Sequence, residues 1–324
     1  MTLFTMAELE AASALVHATM PPTPQFAWPL LKERTGVEVW VKHENHTPTG
    51  AFKVRGGIVY MEWLARTQPA IKGVVSATRG NHGQSIAVAA ARAGLRAVIV
   101  VPQGNSVEKN AAMRAFGAEL ITYGNDFDAA KSHAAELAVT RNLHFVPSFD
   151  VRLVMGVATY ALELFRAAPD LERVYVPIGL GSGICGVITV RDLLGLKTEI
   201  IGVVADAAPA YALSLDAGHV VSTNSAATFA DGMAVRVPNP DALAIIHKGV
   251  KTILRLSEDE IAAAIRIYYS DTHNIAEGAG AAPLAGLIRE KAQLQGKKAG
   301  VILCGGNIDA PVFLQVLGGQ TPTV

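Results

Sequence analysis

Three polar loops in this 324-residue chain could hold a small anionic cofactor, and one lysine stands where it could react with that cofactor. The first loop, residues 43–57, reads H-E-N-H-T-P-T-G-A-F-K-V-R-G-G. A strand ends there, a Pro/Gly turn follows, and a helix begins near Ala51, which sets Lys53 in the first helical turn. The helix dipole disfavours a cation at that end, so the amine should give up its proton more easily than usual. Such an amine, beside Phe52, suits Schiff-base chemistry; the plainer alternative is a solvated surface lysine. The second loop, S-A-T-R-G-N-H-G-Q at 76–84, runs from a buried strand into a helix. Backbone amides at the start of that helix make a ready seat for a carboxylate or a phosphate. In the plain alternative Asn81 caps the helix and His82 is structural. The third loop, V-P-I-G-L-G-S-G-I-C-G at 176–186, ends a strand in glycines that let the backbone approach a phosphate closely. Gly181, Gly183 and Gly186 also satisfy G-x-G-x-x-G, and Asp206 closes the next strand, so these residues leave a dinucleotide reading open. A further strand, A-G-V-I-L-C-G-G-N-I-D at 299–309, ends in Cys304, either a small core residue or a neutral partner for something docked there.

These loops need a scaffold, and the pattern between them supplies one. Val/Ile-rich runs at 37–43, 72–77, 96–102, 118–123, 173–178, 199–205, 252–256 and 299–304 read as strands buried on both faces. Helical stretches at 82–93, 126–140, 156–167 and 259–269 alternate with them, and Ser257 with Glu260 reads as a capping box. The alternation predicts an α/β fold with mainly parallel sheets. Residues 223–240 show neither period and read as a functional or connecting loop. The length predicts two domains. One spans 51–152 and carries the substrate loop; residues 1–50 and 153–324 form the larger, cofactor-binding one.

Composition narrows the class. Lys plus Arg and Asp plus Glu each number 28, so the chain has no net field to attract nucleic acid. Half the residues are apolar and 17% are charged, which excludes extended disorder. Cys185 and Cys304 are the only cysteines, too few for a disulfide scaffold or a cysteine zinc site. The start carries Glu8 and Glu10 and does not read as a signal peptide. Arg92 and Arg96 interrupt the most apolar stretch, so no membrane span is expected, and a reducing, cytoplasmic setting is.

Taken together, the loops resemble the β-family, or fold type II, of pyridoxal-phosphate enzymes, and within it the serine/threonine dehydratases and serine racemases. T-G-A-F-K-V-R-G resembles the Schiff-base segment, which implies Lys53 as the cofactor lysine and Phe52 as its aromatic neighbour. T-R-G-N-H-G-Q resembles the substrate-carboxylate loop, implying that Asn81 meets the ring hydroxyl and that Thr78, Arg79, Gly80, Asn81 and His82 hold the substrate. G-L-G-S-G resembles the phosphate cup, formed by Gly179, Leu180, Gly181, Ser182 and Gly183. A-D-G-M-A-V-R-V-P at 230–238 resembles the family's loop beside the site, and E-G-A-G at 277–280 the acidic turn near the ring, with Glu277. C-G-G-N-I-D resembles the segment facing the ring nitrogen, with Cys304. The resemblance covers roughly residues 23–316, and the motifs follow in the family's order. It implies two open, mainly parallel twisted sheets flanked by helices, as in the tryptophan synthase β subunit.

The departures carry information. Leu180 and Ser182 replace two glycines of the usual cup. Arg79 stands where racemases carry a proton-donating serine, and a guanidinium keeps its proton, so racemisation is disfavoured. Asp206 is the one acid in the stretch where some relatives bind a divalent cation, so no metal site is expected. The chain stops soon after Cys304, so neither a regulatory domain nor isoleucine feedback is expected. P-S-F-D-V-R-L-V-M-G-V-A-T-Y at 147–160 replaces the family's G-Q-G-T and is similar to a dehydratase subgroup linked to hydroxyectoine use.

The resemblance implies a pyridoxal-phosphate dependent dehydratase, an ammonia-lyase that turns a β-hydroxy amino acid such as threonine or serine into a 2-oxo acid and ammonia. Lys53 would be the base for the Cα proton, and the thiol of Cys304 would leave the ring nitrogen without a negative partner. A larger or acidic substrate, of hydroxyaspartate, phenylserine or hydroxyectoine-derived type, is the alternative, with Arg79 as a second cation. A nicotinamide oxidoreductase, a β-replacement synthase and a non-catalytic amino-acid sensor are the other classes. The expected partners are a small amino acid and a second copy of the chain in a homodimer.

Overall fold

Strands that are apolar on both faces need cover on both faces, and the helices provide it. The computed structural model describes residues 3–323. The strands are β1 (Gln25–Ala27), β2 (Glu38–His43), β3 (Gly73–Ala77), β4 (Arg96–Val101), β5 (Glu119–Thr122), β6 (His144–Phe145), β7 (Arg173–Pro177), β8 (Glu199–Ala205), β9 (Thr252–Leu256) and β10 (Lys298–Leu303). They form a six-stranded sheet in the order β1-β2-β10-β7-β8-β9 and a four-stranded sheet in the order β5-β4-β3-β6. Every pairing is parallel except β1 with β2. The N-terminal strands thus join the sheet built from the C-terminal half. In register, Val41 faces Val301 and His43 faces Leu303, so β2 and β10 end side by side.

The helices are α1 (Met6–His17), α2 (Pro29–Thr35), α3 (Lys53–Thr67), α4 (Asn81–Arg92), α5 (Val107–Ala115), α6 (Phe127–Thr140), α7 (Val151–Ala167), α8 (Ser182–Leu193), α9 (Ala210–Ala217), α10 (Pro240–Gly249), α11 (Glu258–Thr272), α12 (Gly278–Glu290) and α13 (Ala310–Leu317). Ser257 and Glu260 form the expected capping box on α11. All eight expected strands are present, with ends displaced by a residue or so. The two unexpected ones, β1 and β6, are three and two residues long, too short to show a period. Helix α7 starts at Val151, earlier than the expected 156, because the Asp150 side chain accepts the Arg152 amide hydrogen and caps it. Between 223 and 239 there is one 3-10 turn, Asp231–Met233, and no strand.

Helices α3 and α7 cross very closely. A Cβ on Gly156 would lie 2.3 Å from the Arg55 carbonyl oxygen, so only glycine fits there. Beneath that crossing lies a buried charge network. Arg55 donates to Glu44 at 2.7 Å and to Glu163 at 2.6 Å, and Lys42 pairs with Glu163. Burying such groups is tolerated only because each is paired and hydrogen-bonded.

Candidate active site

Lys53 is the first residue of α3 and is held from several sides. The Phe52 amide donates to the Cys304 carbonyl at 3.0 Å, and Ala51 bridges Gly305. The Thr47 and Thr49 hydroxyls both donate to the Ala51 carbonyl, at 2.8 and 3.2 Å. The Ser85 hydroxyl, on α4, donates to the Lys53 carbonyl at 2.7 Å. The side chain then runs past the Phe52 ring and places Nζ 3.2 Å from Ser182 Oγ. The amine's pKa is pushed down to about 8. Burial is the main cause, and the neighbouring Cys304 and Glu277 oppose it. The direction expected from the helix dipole is present, with desolvation as its largest source.

The glycine loop follows β7 and opens α8. Gly181 has φ +99°, a left-handed conformation that favours glycine. A Cβ on Gly179 would meet the Gly232 carbonyl oxygen at 2.2 Å, which keeps the loop against the 223–240 segment. The Leu180 carbonyl accepts from the Tyr211 hydroxyl at 3.1 Å, and the Gly183 carbonyl from the Tyr160 hydroxyl at 3.3 Å. The carbonyls therefore point away into protein, and Ser182 projects its hydroxyl toward the amine.

In the 78–82 turn, Thr78 Oγ1 accepts the amide hydrogens of Gly80 and Gly83, at 2.9 and 3.2 Å. Gly80, not Asn81, is the residue at the cap of α4. The Asn81 carboxamide instead donates to Glu277 Oε1 at 2.6 Å and accepts from Asn307 at 2.9 Å. His82 is buried, and its Nε2 has no hydrogen-bond partner. Burial, with Lys53 adding to it, pushes its pKa down to about 3, so the ring is neutral at any working pH. Cys304 is buried at the end of β10, and burial, reinforced by Glu277, drives its thiol far above the usual range. It is therefore a thiol, not a thiolate.

These parts surround one cavity of about 750 Å³. Phe52, Lys53, Thr78, Arg79, Gly80, Asn81, His82, Gly179, Leu180, Gly181, Ser182, Gly183, Glu277 and Cys304 all line it. Four helices, α3, α4, α8 and α12, start at its wall, and at none of the four does the N-cap residue cap with its own side chain, although Thr78 takes the Gly83 amide hydrogen of α4. Their free amides and dipoles favour anions. Asp206 does not line the cavity; it pairs with Arg255 at 2.7 Å, so the acid a dinucleotide site needs is engaged elsewhere.

Some lining residues were not legible beforehand. Lys109, on α5, is buried and lies 3.2 Å from both Asp231 and Glu277. Arg236 spans the mouth to Asp126 and Asp128 at the start of α6. Nothing in the sequence distinguishes Lys109 from other helical lysines. Asp231 and Arg236 do fall inside the A-D-G-M-A-V-R-V-P motif.

An amine of lowered pKa, anion-seeking helix ends and a dry strand end around a common cavity define the site of a pyridoxal-phosphate enzyme of open-sheet α/β type. Residues 17–305 match the family described as pyridoxal-phosphate dependent enzymes, and the chain belongs to that family. It is 37% identical over 286 residues to the L-threonine ammonia-lyase of Geobacter sulfurreducens, covering 88% of this chain and 71% of that protein. It is 33% identical over 300 residues to the biosynthetic L-threonine dehydratase of Pasteurella multocida, covering 92% of this chain and 58% of that protein. The chain thus spans little more than half of that longer relative. Among solved structures, the processed threonine deaminase isoform 2 of Solanum lycopersicum superposes with a TM-score of 0.88 at 31% identity, covering 97% of this chain and 94% of that one. A pyridoxal 5'-phosphate-dependent aspartate racemase superposes with a TM-score of 0.90 at 26% identity, covering 96% and 98%. The fold type II architecture read from the motifs is the architecture found.

The residues present fit the cofactor. The orphaned Nε2 of His82, the uncapped mouth of α8 and the Lys53 amine all face the space it would fill. No helix among the described residues is long and apolar enough to cross a membrane.

Proposed function

We propose that this protein is a dehydratase acting on β-hydroxy amino acids, an ammonia-lyase yielding a 2-oxo acid and ammonia. The observation that carries the reading is the 3.2 Å approach of Lys53 Nζ to Ser182 Oγ, which sets a reactive amine beside an anion cradle. The names of the relatives, threonine ammonia-lyase and threonine dehydratase, support it.

Bound pyridoxal phosphate supplies an aldehyde for the amine and a ring that accepts electrons when the Cα–H bond breaks. Gly179, Leu180, Gly181, Ser182 and Gly183 hold its phosphate through the α8 amides and the Ser182 hydroxyl. The amides of Arg79, Asn81 and His82 at the α4 mouth, which have no partner among the described residues, seat the substrate carboxylate. Lys53 Nζ, with a pKa near 8, is neutral in a useful fraction of molecules and takes the Cα proton. Cys304 stays uncharged and sets no negative charge against the ring. Asn81, fixed by Glu277 and Asn307, offers its remaining amide hydrogen to the ring's substituents. The substrate loses its β-hydroxyl with one proton as water. The unsaturated amine takes up water again and releases ammonia, so no redox partner is needed.

Residues 1–50 with 153–324 act as the cofactor-binding domain in this proposal, and 51–152 as the substrate-loop domain. The division follows the two sheets, the first built from strands before 44 and after 172, the second from strands between 73 and 145. The protein works as a homodimer in the cytoplasm, where its two buried free cysteines remain reduced.

The test is spectroscopic and chemical. Purified, reconstituted protein should be yellow, and borohydride should fix a pyridoxyl mass on the Lys53 peptide. Threonine or serine should then release ammonia. A colourless protein without that adduct, or a coloured one that liberates no ammonia from any β-hydroxy amino acid, sinks the proposal.

A further inference from the structure

Five cationic side chains line the cavity: Lys53, Arg79, Lys109, Lys131 and Arg236. Lys109 is neutralised by Asp231 and Glu277, and Arg236 by Asp126 and Asp128. Lys53 is the amine set against the cofactor, and Lys131 is exposed at the mouth. Arg79 is left. Among the described residues no carboxylate forms an ion pair with its guanidinium, and its Nε is buried without a hydrogen-bond partner. The side chain also forms part of the wall of an adjoining pocket of about 250 Å³.

An unpartnered, partly desolvated guanidinium is unfavourable in the empty protein, and it cannot escape by losing its proton. An anionic ligand offsets that cost. The other two anions of the reading already have seats. The phosphate takes the α8 mouth, and the substrate's α-carboxylate takes the free amides of Arg79, Asn81 and His82. Arg79 belongs to that same turn and lines the cavity that would take the substrate. Its planar fork matches a carboxylate through two parallel hydrogen bonds.

We propose that Arg79 receives a second, side-chain carboxylate of the substrate. The favoured substrates are then acidic β-hydroxy amino acids, with 3-hydroxyaspartate as the simplest, ahead of neutral ones such as threonine. This rests on the dehydratase reading above and narrows it. For 3-hydroxyaspartate one water is lost and one regained, giving the four-carbon 2-oxo diacid and ammonia with no change of oxidation state overall.

The test compares wild-type holoenzyme with Arg79→Gln and Arg79→Lys on 3-hydroxyaspartate and on threonine. The wild type should prefer the acid. Arg79→Gln should lower the ratio of the two kcat/KM values by roughly 10- to 100-fold, the worth of one charge-assisted contact. Arg79→Lys should recover part of it, which also separates a lost contact from a lost fold. In parallel, L-aspartate and L-alanine, which have no hydroxyl to lose, are titrated calorimetrically into the same holoenzymes. Tighter binding of aspartate should disappear in Arg79→Gln. Equal losses on both substrates would place Arg79 on the shared α-carboxylate and overturn the proposal, as would an unchanged ratio. If the wild type releases ammonia from neither compound, the dehydratase reading fails, and the aspartate titration alone decides the role of Arg79.

Discussion

The Phe52 amide and the Cys304 carbonyl are joined by a 3.0 Å hydrogen bond, so the residue before Lys53 is tied to the end of the central strand β10. The amine and the thiol therefore cannot drift apart without breaking main-chain structure.

Lys53 makes the cofactor-free protein less stable at neutral pH. Its folded pKa lies near 8 against an ordinary 10.5, because burial opposes the charge. Below about 8 both states are protonated and the folded state bears the whole cost. Between 8 and 10.5 the unfolded chain holds more protons, so stability rises with pH. Apo Lys53→Met should be more stable than apo wild type at pH 7, by up to about 3 kcal/mol, and the gap should close toward pH 10.5. Urea unfolding at both pH values measures this; a gap that widens with pH contradicts it.

Glu163 acts in the opposite sense. Burial pushes its carboxyl up, but Arg55 and Lys42 outweigh burial and hold it down to about 2, against an ordinary 4.5. Its contribution is complete above 4.5 and is lost as pH falls from there to 2. Glu163→Gln should cost about 3 kcal/mol at pH 7 and progressively less through that window. Acid titration of the unfolding free energy would falsify this by showing the same difference at pH 3 and pH 7.

Gly156 is a packing residue. An added Cβ would sit 2.3 Å from the Arg55 carbonyl oxygen, so α3 and α7 must separate to admit it. Gly156→Ala should destabilise the protein by about 1–3 kcal/mol. Because α3 carries Lys53, cofactor retention should weaken with it, as read by the visible absorbance left after gel filtration.

Arg236 has a modest role. Its pairs with Asp126 and Asp128 are between a third and three-fifths exposed, so water and salt screen them. Arg236→Ala should raise KM by no more than about 5-fold at low ionic strength, consistent with the small worth of exposed pairs. The difference should fade in high salt. A large change in kcat would show that the pair does more than close the mouth.

Much of this was open to reading in the chain, for reasons that differ between its parts. The strand at 199–205 announced itself because a buried parallel strand is apolar throughout, and β8 spans those residues. The glycine loop at 179–183 is visible in the sequence because a left-handed residue at 181 and the close approach of 179 to the Gly232 carbonyl leave few residue types that fit. The cap at Gly80 was missed because Asn81 is the commoner capping type, and its side chain is drawn off by Glu277, 196 residues away. Lys109 was invisible for the same kind of reason, since its partners Asp231 and Glu277 are distant in the chain and only folding unites them. That Arg79 is unpaired could not be read at all, since it depends on where every nearby carboxylate goes.

Lys53 is held from two sides, through Phe52 by the end of β10 in the large sheet and through its own carbonyl by Ser85 on α4, the helix that follows β3 of the small sheet. It therefore sits at a fulcrum. If one sheet rocks against the other, this point moves least, and the mouth between Arg236 and Asp128 must swing wider than the floor. Passage of small molecules through the mouth and a stationary Lys53 are then compatible in the same molecule.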